Sequence, residues 1–455
     1  MPALFGTDGI RGSFGKYPIT EQFFTQCAHL IEQFFKKILK KSVLKIAIGR
    51  DTRESGKVLQ DALIHGFSDD TCVLDCGILP TPGVSVVVDH QKCDLGFAIT
   101  ASHNPYTDNG LKIFNSRGEK LSADLELQLE QFLASNPLTI QDMSEDRHVH
   151  DVTDFQAQAR QIFIDRFDDI KFRFELPVVL DTANGATTYT SPDILQKYCK
   201  NLYIVSNHPD GRNINFNCGS EHIERLQTEV KNRHAHIGIA HDGDGDRLIM
   251  VDENARCLNG DQIIGIIANY LKQKHLLTNN IVVVTKQSNC GLDESLKKIG
   301  IHTVRTDVGD RNVYYNMVQC GSVLGGEESG HIILRKQAHT GDAISAAILV
   351  LKIISEAGSS LSKLANTIRL FPKKMVNLSV GTKIPIEEFT DLARLLQNFE
   401  NSNYGYKRSL IRYSGTENKL RILVEADTIT NADNLSNRIR DCLIKEFEKR
   451  KIFVK

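Results

Sequence analysis

The side chains best suited to chemistry in this 455-residue chain are a serine and three aspartates that lie far apart in the sequence. Ser102 lies in the run Thr-Ala-Ser-His-Asn-Pro at 100–105, whereas Asp242, Asp244 and Asp246 alternate with glycines. Carboxylates at alternate positions can fold around Mg²⁺, since this ion prefers oxygen ligands at short distances. A phosphorylated serine oxygen could complete the shell. The two motifs together predict phosphoryl transfer, in which a metal and cationic groups offset charge on the moving group.

The aspartate run has two other interpretations. Together with Glu253 the three aspartates occupy acidic positions of a calcium-binding EF-hand loop. Arg247 argues against this interpretation because the loop requires glycine at that place, and residues 248–251 are typical of a buried strand. A solvated acidic turn is the other alternative.

The serine also has alternatives, since serine before a polar stretch is often a helix cap or turn residue. Adjacent Ser102 and His103 could suggest a hydrolase, but the chain has no Gly-x-Ser-x-Gly elbow. His103, as the next residue, is poorly placed to act as the base for Ser102. The hydrolase interpretation is therefore disfavoured.

Two cationic residues could join the site. Lys112 follows Asn109 and Gly110, where a turn could return its ammonium to Ser102; taken alone, a solvated lysine at a strand edge is the better interpretation. Residues 5–12, which include Arg11, offer backbone amides and one guanidinium, as an anion-binding nest or a glycine-rich turn would.

Two further clusters carry polar groups between glycines. Residues 412–421 combine two arginines with small hydroxyl residues, which suits a phosphate cradle, because arginine binds phosphate with two hydrogen bonds. An exposed hairpin loop is the alternative. Residues 325–331 hold carboxylates and a hydroxyl that could bind sugar hydroxyls, or they form an acidic surface loop.

Three strand-to-loop units would position these groups. Apolar runs at 44–48, 177–180 and 281–284 each lead into a polar loop, and helical patterns separate them. This order predicts three related α/β domains with mixed sheets, whose loops bind ligands at the carboxyl ends of the strands. A single large sheet is the alternative.

Local sequence patterns predict the remaining helices and strands. An amphipathic helix is predicted from Thr20, and residues 361–368 favour another helix before a linker at 371–374. A smaller α+β C-terminal domain follows, with a strand at 420–424 and a last helix from about Thr430.

Composition narrows the class of protein. Lys and Arg number 55 against 56 Asp and Glu, so no global charge attracts nucleic acid or an anionic membrane. The start lacks an export signal and no apolar run approaches membrane-spanning length, which favours a cytoplasmic enzyme. The ten cysteines contain no Cys-x-x-Cys pair and are expected to be reduced core thiols.

Five motifs in order resemble the α-D-phosphohexomutase family over essentially the whole chain. They are Phe-Gly-Thr-Asp-Gly-Ile-Arg-Gly at 5–12, the serine run, Asp-Gly-Asp-Gly-Asp-Arg at 242–247, Gly-Glu-Glu-Ser-Gly-His at 326–331 and Arg-x-Ser-Gly-Thr-Glu at 412–417. The resemblance implies four domains around a central cleft, with expected bounds 1–150, 151–255, 256–370 and 371–455.

The resemblance also assigns roles to residues, which stay expectations here. Ser102 would carry the phosphoryl group, and its oxygen would join the three aspartates in binding one Mg²⁺ per site. The other groups expected in catalysis are Lys112, Arg11 and His103. Those expected to bind the substrate or stabilise its charge are Arg247, Glu327, Ser329, His331, Arg412, Ser414, Gly415, Thr416 and Arg421.

The implied reaction interconverts glucosamine 6-phosphate and glucosamine 1-phosphate through a hexose 1,6-bisphosphate, which also acts as primer. Its product would feed amino-sugar nucleotide and cell-wall precursor synthesis. The expected partner is a small hexosamine phosphate, with a homodimer as the expected assembly and neither nucleic acid nor membrane involved. A mutase for mannose or glucose phosphates and a non-catalytic sugar-phosphate sensor are the alternatives. Glu328, where glutamine is expected, and Tyr413 and Asn418, where proline is often found, depart from the family pattern.

Overall fold

The fold is known from a computed structural model, which describes residues 4–6, 8–136, 152–401, 405–414 and 418–454. The chain forms two compact units. One comprises Met1–Thr285 with Ile301–Thr367, and the other comprises Lys286–Gly300 with Ile368–Lys455. In the described residues, no helix combines the length and apolar character needed to cross a membrane.

The first sheet of the larger unit is mixed and has the strand order β1-β5-β4-β2-β3-β6. Strands β2, β3, β4 and β6 run parallel, and β5 lies antiparallel between β1 and β4. The elements are β1 (Ile10–Ser13), α1 (Glu21–Leu39), β2 (Lys45–Arg50), α2 (Glu54–Gly66), β3 (Cys72–Ile78), α3 (Thr81–His90), β4 (Leu95–Ile99), β5 (Asp108–Phe114), α4 (Ala123–Ser135), β6 (Val152–Asp154) and α5 (Gln156–Asp165).

Helix α1 confirms the helix predicted from Thr20. The Thr20 side chain caps its start by accepting a hydrogen bond from Phe23 N, and Lys40 ends it in a left-handed conformation. Its apolar face packs into the core beneath the first sheet.

The second sheet has the order β11-β10-β9-β7-β8, in which β7, β8 and β9 are parallel and β10 is antiparallel to β9. Its buried strand β10 confirms the strand predicted at 248–251. The elements are β7 (Val178–Asp181), α6 (Ser191–Gln196), β8 (Leu202–Val205), α7 (Glu224–Asn232), β9 (Ile237–His241), β10 (Leu248–Asp252) and β11 (Cys257–Leu258).

The third sheet has the order β13-β12-β14-β15 and is also mixed. Helix α12 ends at Ala365, so the predicted helix stops short of Ile368. The elements of this part of the chain are α8 (Gly260–Gln273), β12 (Ile281–Thr285), α9 (Cys290–Lys298), β13 (His302–Thr306), α10 (Asp310–Cys320), β14 (Leu324–Gly326), β15 (Ile332–Leu334), α11 (Ala343–Ala357) and α12 (Leu361–Ala365).

The smaller unit contains helix α9 and an antiparallel sheet with the order β16-β18-β17. A linker was expected at 371–374, but Phe371 is buried and β16 already begins at Lys373. Asn289 fixes this stretch by bonding to both the N–H and the C=O of Phe371. The remaining elements are β16 (Lys373–Ser379), α13 (Thr390–Glu400), β17 (Tyr406–Tyr413), β18 (Lys419–Ala426) and α14 (Ile429–Lys449).

Each sheet packs its helices around apolar side chains of its own, as separate domains do. The described residues thus form three mixed α/β sheets and one smaller α+β sheet, which confirms the predicted fold class. The alternative of a single large sheet is wrong. The cysteines within the described residues are free thiols, and Cys257 among them is exposed.

Candidate functional site

Ser102 lies in a tight loop that follows β4. Its backbone is left-handed, with φ at 53°, and its side chain is buried. The hydroxyl Oγ donates to Asp242 Oδ2 at 2.6 Å, so the serine and the aspartate run meet although 140 residues separate them. The backbone N–H donates to Thr100 Oγ1 at 2.9 Å, which pins the turn to the end of β4.

The aspartate run forms the turn between the antiparallel strands β9 and β10. Asp242, Asp244 and Asp246 are all buried, and one carboxylate oxygen from each lies within 4.8 Å of the others. The glycines allow this crowding. A Cβ at Gly243 would lie 2.6 Å from Ser102 O, and Gly245 has a left-handed φ of 74°.

A hard divalent cation fits this turn. Asp244 Oδ1 is buried with no hydrogen-bond partner among the described residues, and three acidic oxygens converge beside the serine hydroxyl. Mg²⁺ takes such carboxylate oxygens as ligands. The calcium-loop interpretation fails because Glu253 instead accepts hydrogen bonds from Ser362, and β10 follows the turn where an EF-hand needs a helix.

Lys112 brings a positive charge to the same point. It lies on β5, and its ammonium is 2.7 Å from Asp244 Oδ2, 2.8 Å from Asp246 Oδ2 and 3.1 Å from Asp8 Oδ2. Burial alone would lower the pKa of Lys112, but these three carboxylates outweigh it and hold the pKa well above its ordinary value. The alternative of a solvated lysine is therefore wrong.

This environment shifts the pKa values of two of the aspartates in opposite directions. Burial and the charges of its two neighbours raise the pKa of Asp242 well above its ordinary value. Burial also acts on Asp246, but Lys112 and His331 outweigh it and hold that pKa well below the ordinary range. The site thus concentrates negative charge that is only partly offset, which favours a bound cation.

Arg11 lies on β1, in register with Gly110 on the neighbouring β5. Its guanidinium pairs with Asp8, while its Nε is buried with no hydrogen-bond partner among the described residues. This N–H group can therefore donate a hydrogen bond to an anion.

The pKa values of the two candidate histidines are shifted in opposite directions. His103 Nδ1 lies 3.4 Å from Ser102 Oγ, and burial with the nearby charges of Arg247 and Arg11 lowers its pKa to about 3. Burial also opposes charge on His331, but Asp310 and Asp246 face its two ring nitrogens at 2.8 and 3.5 Å and raise its pKa to about 10. The pKa shifts thus favour a neutral imidazole at His103 and a cation at His331; Gly341 N also lies 2.9 Å from His331 Nε2.

The hairpin between β14 and β15 places Glu327 and Ser329 at its tip. Glu327 Oε1 accepts a hydrogen bond from Gly309 N at 2.9 Å, and both side chains are half-buried. Gly330 O accepts from Leu248 N at 2.9 Å, which ties the hairpin to the strand that follows the aspartates. Arg247 itself pairs with Glu221 at 3.1 Å.

In the smaller unit, the register of β17 and β18 places Arg412 opposite Arg421. Burial and the like charge of Arg421 lower the pKa of Arg412. Ser414 follows at the end of β17, where Lys383 Nζ donates to its carbonyl at 2.8 Å and Arg421 Nη2 lies 3.5 Å from its hydroxyl. Two like charges on one sheet face suit a phosphate. Gly415 and Thr416 lie outside the described residues.

The sequence interpretation missed a chain of charges around the site. Asp8 pairs with Lys120, and Lys120 Nζ lies 2.5 Å from Asp310 Oδ2, which connects the first sheet to α10. Asp310 in turn faces His331. Asp8 could have been singled out within the motif at 5–12, but Lys120 and Asp310 have no local pattern that indicates a site.

It also missed three buried groups that contact the two loops. Thr81 Oγ1 donates to Asp244 Oδ2 at 2.5 Å. Arg53 and Asn215 donate to backbone carbonyls of the serine loop. Only Arg53, which follows Asp51 in the polar loop after β2, had a signal that could have drawn attention to it.

Four family models match the chain in order. They are described as phosphoglucomutase/phosphomannomutase alpha/beta/alpha domain I at residues 2–139, domain II at 155–256, domain III at 259–371 and the C-terminal domain at 375–441. Together they span nearly the whole chain.

Relatives with curated names are similar over their full length. One from Syntrophus aciditrophicus (strain SB), named phosphoglucosamine mutase, is 38% identical over 451 residues, 98% of this chain and 100% of the relative. Another of the same name, from Syntrophobacter fumaroxidans (strain DSM 10017 / MPOB), is 39% identical over 435 residues, 94% and 96% of the two chains.

A solved structure shares the fold. The crystal structure of a phosphoglucomutase/phosphomannomutase family protein from Burkholderia thailandensis matches with a TM-score of 0.76 and 20% identity. The match covers 99% of this chain and 98% of that one. At this identity, the similarity concerns the fold alone.

Proposed function

The chain belongs to the phosphoglucomutase/phosphomannomutase family and is an enzyme, a phosphohexomutase isomerase, and from this premise we propose that it interconverts glucosamine 6-phosphate and glucosamine 1-phosphate. The choice of sugar is supported by the names of the two curated relatives, which match over nearly all of the chain. The product would supply amino-sugar nucleotide and cell-wall precursor synthesis in the cytoplasm.

Ser102 is the phosphoryl carrier in this proposal. The observation that carries it is the 2.6 Å hydrogen bond from Ser102 Oγ to Asp242, which sets the hydroxyl against three buried aspartates. The hydroxyl therefore lies in a buried, acidic turn. It is well placed to hold a phosphate beside a metal.

Asp242, Asp244 and Asp246 would hold one Mg²⁺ together with a phosphoserine oxygen. The bound ion would act as a Lewis acid, offsetting charge on the transferring group. Lys112 is already an ammonium among two of these carboxylates and Asp8, so it would add a second positive charge beside the phosphoryl group.

The reaction consists of two phosphoryl transfers, one from Ser102 to the sugar and one from the sugar to Ser102. A free sugar hydroxyl attacks the phosphorus of phosphoserine, the bond from phosphorus to Ser102 Oγ breaks, and the sugar gains the phosphoryl group. The sugar hydroxyl gives up its proton to a base of the site, and Ser102 Oγ takes up a proton as it leaves and ends as a hydroxyl, so no net proton is gained or lost. The resulting 1,6-bisphosphate turns over and returns its other phosphate to Ser102, so a trace of hexose 1,6-bisphosphate also primes the enzyme.

The candidate catalytic groups divide by charge. Arg11 and Lys112 are cations that would stabilise the transferring phosphoryl group. The buried Nε of Arg11, which has no hydrogen-bond partner within the described part of the chain, supports a direct hydrogen bond to that group. His103 is a neutral imidazole 3.4 Å from Ser102 Oγ, so it would orient the serine oxygen or exchange a hydrogen bond with it.

Sugar and distal phosphate would be held by separate groups. Glu327 and Ser329 would bind sugar hydroxyls, with Arg247 stabilising charge nearby. His331, which was expected among the substrate contacts, faces Asp310 and Asp246 with its ring nitrogens and would act through them. The facing pair Arg412 and Arg421, with residues 414–416, would bind the phosphate that does not react. In this division residues 1–150 carry the serine, 151–255 the metal, 256–370 the sugar contacts and 371–455 the phosphate cradle.

The test compares initial rates on the 6-phosphates of glucosamine, glucose and mannose by phosphorus NMR, with Mg²⁺ and a trace of hexose 1,6-bisphosphate. We expect glucosamine to be preferred by about tenfold or more, which corresponds to about 1.4 kcal/mol in transition-state discrimination. A preference for glucose or mannose would overturn the choice of sugar and keep the mechanism. Turnover of none of the three would overturn the mutase proposal.

A further inference from the structure

Arg53 is a buried arginine whose contacts all lead to the serine loop or to its support. It lies three residues after the end of β2 and immediately before α2, and its side chain is fully buried. A buried guanidinium is costly unless its charge is paired and its donors are satisfied. Asp51 Oδ2 supplies the pairing charge at 2.9 Å from Arg53 Nε.

Every donor of Arg53 has an acceptor. Nη2 donates to Ser102 O at 2.9 Å and to Asn104 O at 2.8 Å. Nη1 donates to the carbonyls of Asp108, at 3.0 Å, and Pro105. With Nε on Asp51, all five N–H groups of the guanidinium are used. Four of them hold backbone carbonyls between Ser102 and the start of β5.

Asn215 reaches the same two carbonyls from the second α/β domain. Its Nδ2 donates to Ser102 O at 2.9 Å and to Asn104 O at 3.1 Å. A carbonyl oxygen has two lone pairs and can accept both bonds. The backbone of the serine loop is therefore held from two domains at once.

A second route runs from Arg53 to Ser102 through side chains. Asp51 Oδ2, which pairs with Arg53, also accepts from Thr100 Oγ1 at 2.6 Å. Thr100 Oγ1 accepts in turn from Ser102 N at 2.9 Å. Both the N–H and the C=O of Ser102 are thus connected to Arg53.

Ser102 needs such support because its φ of 53° is unfavourable for a residue with a side chain. A conformation of this kind persists only where its surroundings fix it. In it, Oγ points at Asp242. Phosphoryl transfer depends mainly on positioning, so a small rotation of this turn would move the phosphate away from its partners.

We propose that Arg53 is a positioning residue for the phosphoryl carrier, acting with Asn215 to hold Ser102 Oγ against the aspartates. The inference rests on the proposed phosphoserine mechanism. Arg53 does not touch the substrate; it fixes the backbone that presents the serine. Its loss should therefore lower the rate of transfer and leave the binding of sugar phosphate unchanged.

The test uses Arg53→Lys, which keeps the positive charge for Asp51 but cannot reproduce the five-donor fork. We expect kcat to fall about 100-fold, the scale of a small misplacement of reacting groups, while KM for the sugar phosphate stays within about twofold. The single-turnover rate of transfer from phosphorylated enzyme should fall with kcat.

Glu32→Gln is the matched control. Glu32 is also buried in a polar network of the first domain, with Ser68, Thr71 and Lys36, but this network lies before β3, at the opposite end of the parallel strands from Arg53. It should lower thermal stability and leave kcat per folded enzyme unchanged. If Arg53→Lys behaves like this control, the positioning role is wrong.

Asn215→Ala provides an independent variant if Arg53→Lys does not fold, because the pair of Arg53 and Asp51 stays intact in it. It should lower kcat by a smaller factor with unchanged KM, and the double variant should lose less than the product of the two single losses. An unchanged kcat in Asn215→Ala would contradict the inference. If the wild-type enzyme turns over no hexose phosphate, the proposed function fails; normal wild-type turnover with unaffected variants overturns this inference alone.

Discussion

Two regions of the molecule differ in how their charges are compensated. One contains the serine and aspartate loops of the larger unit, and the other contains the paired arginines of the smaller unit. Around Ser102, buried opposite charges lie within hydrogen-bond distance of one another, as Lys112 does with Asp244 and Asp246. On β17 and β18, two like charges face each other, and Arg421 helps to lower the pKa of Arg412. The first region is therefore organised before any ligand binds, whereas the second is best stabilised by an anion.

The largest effect should come from Ser102→Ala, which removes the proposed carrier from the preorganised region. Turnover should fall by about 10⁴-fold or more, since removal of a nucleophile leaves only binding and electrostatic effects. Asp242 Oδ1 keeps the N–H donors of Asp246 and Arg247 while Oδ2 loses the hydroxyl of Ser102, so the melting temperature should fall by no more than about 4 °C. Activity assays and thermal melts check both values, and near-normal turnover would reject the carrier.

Asp244→Asn tests whether the same region is built for a metal. Losing one carboxylate charge should weaken Mg²⁺ binding by about 10- to 100-fold or more, with a matching rise in the Mg²⁺ concentration needed for half-maximal rate. Calorimetric titration of Mg²⁺ measures the affinity. Asp89→Asn, which alters an exposed ion pair, is the control and should bind as wild type does. Equal Mg²⁺ dependence in Asp244→Asn and wild type would reject the metal site.

Arg421→Lys tests the arginine region and should have a smaller effect. A lysine keeps the charge but loses two-point binding of phosphate, so kcat/KM should fall about 10- to 100-fold, chiefly through KM. Inorganic phosphate should also raise the melting temperature of wild type more than that of the variant. Arg440→Lys, on the exposed side of α14, is the control. A change confined to kcat would place Arg421 with the reacting groups instead.

The smallest effect concerns stability outside both regions. Hydrogen bonds from Ser68, Thr71 and Lys36 outweigh the burial of Glu32 and lower its pKa in the folded protein. A lowered pKa stabilises the fold above the unfolded value of about 4.3, and this stabilisation is lost as pH falls through the folded value. Glu32→Gln should therefore cost roughly 1–3 kcal/mol at pH 7 and less at pH 3.5. Urea unfolding at both values measures the difference, and an equal cost at both would contradict it.

The sequence predicted more of the first region than of its supports. The meeting of Ser102 with Asp242 was predictable because each lies in a run whose residue types indicate a shared chemistry. Lys120 and Asp310 could not be predicted in the same way, because single charged residues carry no periodic signal, and Arg53 had only its place in the polar loop after β2 to indicate it. Their roles come from long-range contacts that only the folded chain creates.

The errors in secondary structure have a similar origin. At the linker expected at 371–374, Pro372 indicated a break in secondary structure, while burial of Phe371 and pairing with β18 already start a strand at Lys373. The helix predicted through Ile368 ends at Ala365, since its apolar spacing continued into a turn that buries Ile368. In each case tertiary packing overrode a local pattern.

The role of Ser102 as phosphoryl carrier is tested most directly with a labelled phosphate. Enzyme carrying radioactive phosphate on Ser102 is mixed with excess unlabelled glucosamine 6-phosphate and Mg²⁺, and the reaction is stopped within one turnover. We expect label to leave Ser102 and to appear in the hexosamine bisphosphate, and then in glucosamine 1-phosphate. Label that stays on the serine or appears only as inorganic phosphate, while unlabelled product forms, would contradict this role.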